Sequence, residues 1–153
     1  MKKHIGFLIK SLGQSQLGFQ LTYNLNKLAN KSYDISSSVF IKKFDVIPSK
    51  PEFSIMQMMY AIGFNGILIA TDIDTAKILK HTVGVNKKMF YIWDLEWIYQ
   101  QKLFQDFADV YLDDKIDLIA RSQHHADIIS KMWKPPTTII EDFNYDQIAK
   151  LVS

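Results

Sequence analysis

Two acids follow an apolar run in the middle of the chain, Tyr91-Ile-Trp-Asp-Leu-Glu-Trp97, and Asp94 and Glu96 alternate there with Trp93 and Trp97. If the run is a strand of an α/β sheet, both carboxylates fall at its carboxyl end, where such sheets bind ligands. A carboxylate in a partly dry cleft gains basicity and can take a proton from a hydroxyl group. Aromatic rings beside it offer flat apolar faces that suit a sugar. Asp94 and Glu96 are therefore the candidate catalytic pair for base chemistry on a sugar or similar polyol, with Trp93 and Trp97 as candidate substrate platforms. Each residue also has a plainer reading. Asp94 could cap a helix that starts at Leu95. Glu96 suits a first helical turn for its dipole alone. Tryptophans are more often core than platform.

Three other places carry polar groups to the same rim. Gly13-Gln-Ser-Gln-Leu-Gly18 spaces its glycines as a P-loop does, but Phe19-Gln20 stand where Lys-Ser/Thr must follow. The dinucleotide fingerprint is incomplete as well, so no cofactor is expected. What remains is a loop of Ser11, Gly13, Gln14 and Ser15 whose amides face a ligand at a helix start. The plainer reading is a turn glycine at Gly13 and a helix glycine, Gly18, packed against the sheet. Arg121 and Ser122 follow another apolar run and are candidate substrate contacts, although Ser122 also reads as a helix cap. Asp72 and Asp74 end a further run, and capping accounts for them too. His124 and His125 are adjacent on a helix and point in different directions. With no cysteine in the chain, no metal site is expected.

The elements that must position these residues follow from apolar runs and helical spacing. Strands are expected at residues 4–9, 35–41, 67–71, 88–93, 116–120 and 137–140. Helices are expected at 16–28, where Leu17, Leu21, Leu25 and Leu28 share a face, and at 55–62, 75–82, 122–133 and 145–152. Residues 95–113 hold one broken or two short helices. Residues 42–53 contain Pro48 and Pro51 and form the clear non-regular segment; within it, 44–53 is the expected lid or acceptor-contacting loop. The strands are apolar runs without clean alternation, as burial on both faces requires. The expected fold is a doubly wound, mostly parallel, six-stranded Rossmann-like sheet in one domain covering residues 1–153.

The composition narrows the function classes. A net charge of +2 is too small to argue for a nucleic-acid or acidic-surface partner. With 48% apolar and 22% charged residues, the chain reads as globular. No apolar run approaches the roughly 18 residues of a transmembrane helix, so no transmembrane segment is expected. The absence of cysteine fits a reducing, cytoplasmic setting. No Gly-x-Ser-x-Gly elbow or plausible triad appears.

Taken in order, three segments resemble the N-terminal, acceptor-binding domain of GT-B glycosyltransferases, particularly the retaining type that uses nucleotide-sugars. Residues 5–28 resemble the opening strand, glycine-bearing loop and helix. Phe90-Tyr-Ile-Trp-Asp-Leu-Glu-Trp97 is similar to the strand that ends in an aromatic–acid pattern. Asp117-Leu-Ile-Ala-Arg-Ser-Gln-His-His-Ala126, with Trp133 and Ile139-Ile140, resembles the last strand and helix before the interdomain linker. The resemblance implies that a sugar acceptor contacts the Ser11–Ser15 loop, the Asp94–Trp97 segment and the Arg121–Ser122 rim, with Asp94 as the family's acid. It also implies that the donor-binding half lies outside these residues, as a separate subunit or a missing C-terminal domain. Transfer is then expected only when that half is present. Trp93 departs from the family, standing where glutamine or histidine is usual, and the first loop lacks a second glycine. Two other readings compete. One is a non-enzymatic Rossmann-like module that binds a small ligand or a protein, in which Asp94 is engaged wholly in capping. The other is a flavodoxin-like or receiver-like domain. The receiver form is disfavoured because Lys10-Ser11 stand where it needs an acid pair, and Ser11 and Ser15 are thin support for a flavin phosphate loop.

Overall fold

The computed structural model describes all 153 residues. The chain alternates strand and helix as β1 (Lys3–Ile9), α1 (Gln16–Lys31), β2 (Ile35–Ile41), β3 (Ser54–Gln57), β4 (Ile67–Ala70), α2 (Ile73–His81), β5 (Lys87–Ile92), α3 (Phe104–Tyr111), β6 (Ile116–Ala120), α4 (Gln123–Met132), β7 (Thr138–Ile139) and α5 (Tyr145–Leu151). Every strand pair is parallel, and the order is β3-β2-β1-β4-β5-β6-β7. The first six strands thus follow the 3-2-1-4-5-6 order of the doubly wound Rossmann type. No helix is long and apolar enough to cross a membrane.

Both faces of the sheet are covered, and successive strand residues serve opposite cores. Ile5, Phe7 and Ile9 of β1, with Met89 and Tyr91 of β5 and then Trp93, pack with α1 and α5 through Leu21, Leu25, Leu28 and Ile148. Leu8 of β1 and Phe90 and Ile92 of β5 face α2, α3 and α4 through Ala76, Leu79, Phe107, Val110 and Ile129. This two-sided burial is why the strands read as unbroken apolar runs.

The sheet has seven strands rather than six. The helix expected over 55–62 is instead β3, paired to β2 from Ser38–Ser54 to Ile41–Gln57, followed by a single 3-10 turn at Met58–Ala61. Ile55 packs in one core and Met56 in the other, which is strand geometry. A short apolar run does not separate helix from strand by periodicity, and pairing to the free edge of β2 decided it. Residues 95–103 form two 3-10 turns, Glu96–Ile98 and Gln101–Leu103, ahead of the single helix α3. Gly18 packs against the Leu12–Ser15 turn rather than the sheet: a Cβ there would stand 3.1 Å from both Gly13 O and Ser15 Oγ.

Gly66 opens β4 with φ +157, and a Cβ would stand 2.4 Å from the His4 carbonyl oxygen of β1. No side chain can yield there, because the obstacle is backbone. Gly66→Ala should therefore lower the free energy of unfolding by about 2 kcal/mol or more, read from urea denaturation. An unchanged midpoint would show that β1 and β4 separate without cost.

Candidate functional site

β1 is flanked by β2 and β4, and the chain leaves these neighbours in opposite directions. Such a reversal leaves a crevice at the carboxyl ends of the strands. A cleft of about 400 Å³ lies there, between the ends of β1, β4 and β5 and the start of α1. Thr71 pins its floor. Its hydroxyl donates to the Leu8 carbonyl at 2.8 Å, and its amide donates to Thr75 Oγ1 at 3.1 Å. The end of β4 is thereby fixed against β1 before any ligand arrives.

The charged groups arrive on three elements. Asp72 caps α2: its Oδ1 accepts from the Thr75 amide at 2.8 Å, and Thr75 Oγ1 accepts from the Asp72 amide at 3.1 Å. Glu96 lies after β5 and reaches across to α2, where Oε1 accepts from the Ile73 amide at 3.2 Å. Lys10, just past β1, sets Nζ 2.8 Å from Asp74 Oδ2 and 3.8 Å from Asp72 Oδ2. The Lys10–Asp74 hydrogen bond holds the ammonium above its usual pKa and the Asp74 carboxyl below its own.

Glu96 is the electrostatically perturbed acid of the site. Burial, and after it the charge of Asp72, push its carboxyl up to about 7, with Asp94 adding to the push. The Ile73 amide and Lys10 act in the other direction. Asp94 differs in kind. It is exposed in the cleft and makes no side-chain hydrogen bond or ion pair. The turn after β5 is of 3-10 type, begins at Glu96 with Leu95 as its cap, and takes no side-chain capping bond. The expected capping role of Asp94 is therefore absent, and its carboxylate is free toward the cleft.

The tryptophans are not open platforms. Trp93 is 8% exposed; it stacks on Phe143 at 5.5 Å, and the Arg121 guanidinium sits 3.7 Å from its ring centroid. Little of its surface is left to line the cleft. Trp97 is 7% exposed, lies edge-on to Tyr111 and Trp133 at 5.3 and 5.9 Å, and does not line the cleft. The 3-10 turn points it into the core beneath α3 and α4. The exposed aromatic ring at the cleft is instead Tyr99, at 64%.

Ser11 lines the cleft, where its hydroxyl donates to Asp45 Oδ2 at 2.6 Å and accepts from the Gly13 amide at 2.9 Å. Gly13 is held so closely under Asp45 that a Cβ would come within 2.8 Å of the Asp45 Cβ. Gln14 is exposed and outside the lining, whereas Ser15, the cap of α1, lines it. Arg121 is tied to Asp142 at 2.7 Å and braces Trp93 without lining the cleft. Ser122 caps α4, accepting from the His125 amide at 3.1 Å. The loop over 44–53 does not line the cleft, but Asp45 and the Lys42 and Lys43 amides, which donate to Lys10 O, tie its start to the end of β1. No group of three or more histidines and acids is placed to hold a metal ion.

Lys10, Tyr99 and Asp45 enter the site without having been singled out. Lys10 had a usable signal, since it directly follows the first strand. Tyr99 depends on two 3-10 turns and Asp45 on a long loop, and neither has a sequence period. Comparisons of the chain with protein-family models, with curated proteins and with solved structures found no match.

Glu96 holds its proton more tightly folded than unfolded, with a pKa of about 7 against an ordinary 4.5. Between these values the native state binds the extra proton. The associated stability is complete below the unfolded value and is lost as pH rises through about 7. The charges facing this carboxyl are Asp72, Asp94 and Lys10. Glu96→Gln keeps an acceptor for the Ile73 amide and removes the titration. Its thermal midpoint should therefore fall less than the wild-type midpoint between about pH 5 and about pH 8. Parallel curves for the two proteins would place the Glu96 pKa near its ordinary value.

Proposed function

We propose that the chain is an acceptor-binding half of a glycosyltransferase of GT-B type, and that the cleft at the ends of β1, β4 and β5 takes a hydroxyl-bearing saccharide. The observation that carries this reading is Asp94, an unpartnered carboxylate at a strand end, facing a cleft at the switch point of the sheet. A free carboxylate accepts hydrogen bonds from sugar hydroxyls, each charge-assisted bond contributing about 1.5–3 kcal/mol. Glu96 is the proton acceptor near neutrality, since its pKa of about 7 matches the working pH of a general base. Asp94 orients the attacking hydroxyl, whose oxygen bonds to the anomeric carbon of the donor sugar as that carbon's bond to the nucleotide phosphate breaks; Glu96 receives the hydroxyl proton, and the nucleotide phosphate leaves with the electron pair. The nucleotide-sugar donor comes from a second half, and the purified chain with a nucleotide-sugar is expected to give no transfer by itself. Exposed Phe44 and Val46 after β2, and Ile98 and Tyr99 after β5, give the loops that follow two of the strands an apolar character suited to a second domain.

A binding module without catalysis is the second reading. It is favoured by the structural use of Glu96 on Ile73 and by the covered face of Trp93. Both readings place a ligand in the same cleft.

Asp94→Asn tests the carrier of the proposal. Because Asp94 has no partner to lose, the urea midpoint should not move, while affinity for a bound mono- or disaccharide should drop roughly ten-fold or more, read by saturation-transfer NMR. A variant that binds sugar as well as the wild type would sink the reading.

A further inference from the structure

We propose that the free edge of β3, with the apolar strap that follows it, is the contact surface for a second copy of this chain. The inference rests on the sheet and is independent of what the cleft binds. The strand order leaves β3 and β7 at the two edges. An edge strand turns unpaired amides and carbonyls outward, and another strand satisfies them. β7 is blunted against such pairing, because it is two residues long and Pro135 and Pro136 lead into it. β3, Ser54-Ile-Met-Gln57, is twice as long and holds neither proline nor charge.

The edge is also held in place. Asn26 of α1 donates through Nδ2 to the Lys50 carbonyl at 3.0 Å and accepts through Oδ1 from the Glu52 amide at 2.8 Å. Asn30, one turn further on, donates to Glu52 Oε2 at 2.6 Å. These bonds fasten the lead-in to β3 against α1, so a partner need not order the strand first.

The surface beside this edge lacks a helix. A crossover between parallel strands usually carries one. Here the chain returns from β3 to β4 through the 3-10 turn Met58–Ala61 and a short loop. This strap sends Ala61 and Phe64 into the core, where Phe64 meets Phe40 of β2 edge-on at 5.4 Å. Met59, Tyr60 and Ile62 stay outside, 64, 62 and 70% exposed. Val83, exposed as they are, extends the patch, since a Cβ on the adjoining Gly84 would stand 3.6 Å from Gly63 Cα.

Charge selects the partner. No charged residue stands between Glu52 and Asp72, in a chain with 22% charged residues. Such a surface would desolvate a charged partner without compensating it, but it meets its own copy without like-charge repulsion. A two-fold axis normal to the sheet sets β3 antiparallel to β3 of the second copy, with the reciprocal contacts of an isologous interface. The two sheets then continue as one, and the two straps meet on the same face. Methionine and aromatic side chains are enriched in interfaces of this kind, and methionine adapts to the shape it meets.

Sedimentation velocity on the purified chain, from about 1 to about 200 μM, tests the proposal. The mass should rise from 17.8 kDa toward twice that value. The amides of β3 should exchange hydrogen more slowly at high concentration than at low. Met59→Lys with Tyr60→Lys should weaken association roughly ten-fold or more, since like charges then face each other across the axis. Both side chains are exposed, so the urea midpoint should stay in place. Leu112→Lys with Met132→Lys, exposed positions on α3 and α4 ends, should associate as the wild type does. A monomer at every concentration overturns the inference and leaves the edge to a strand of a different protein. A dimer that the Met59 and Tyr60 changes leave intact, or that the Leu112 and Met132 changes break, overturns it by placing the contact elsewhere. Exchange in β3 that ignores concentration overturns it whatever the variants do.

Discussion

β1 is hydrogen-bonded in parallel to β2 on one edge and to β4 on the other. The chain reaches β2 and β3 on one side, then crosses over the sheet to place β4 on the opposite side of β1. The segments that leave β1 and β4 must therefore turn away from each other. No loop is left to close the gap between them, and this is what makes the cleft. Thr71 tightens the arrangement by tying the end of β4 to the Leu8 carbonyl, while Gly66 at the other end of β4 lets its backbone pass against His4. Both cores depend on the same strands, because alternate residues of β1 and β5 serve opposite faces.

Within that gap, structural and chemical duties are divided among similar residues. Asp72 and Ser122 are caps, and their side chains satisfy helix amides that would otherwise be orphaned. Asp74 and Lys10 neutralise each other at the rim. Glu96 does both jobs: its hydrogen bond to Ile73 joins the turn after β5 to α2, and burial beside Asp72 raises its proton affinity toward neutrality. Asp94 alone carries no structural bond. Both of its oxygens therefore remain available as acceptors at the cleft.

The aromatic residues show the opposite division. Trp93 and Trp97 bracket the acids in sequence, yet the chain uses them to fasten the site rather than to form its surface. Trp93 is held between Phe143 and Arg121, and Arg121 is held in turn by Asp142, which adopts a left-handed conformation at φ 44. The Tyr91 hydroxyl donates to Ile140 O beside the same bend, and its ring stacks on Phe143 at 4.1 Å. Segments far apart in the sequence are thus locked behind the cleft wall, and the exposed ring at the ligand edge is Tyr99.

The sequence by itself determined the class of fold and the place of the acids. Apolar runs at regular intervals, separated by helical spacing and turn residues, admit little besides a parallel sheet covered on both faces. A strand that ends in Trp-Asp-Leu-Glu must then deliver carboxylates to the ligand edge. Tertiary structure decided the rest. It made 54–57 an edge strand, because the free side of β2 was worth more than a short isolated helix. It freed Asp94 by starting the next turn at Glu96, buried Trp97 beneath α3 and α4, and brought Lys10 and Tyr99 to the same cleft. Such outcomes depend on which surfaces meet across the sheet. Local periodicity carries only the facing of a residue on its own element and holds no record of those meetings.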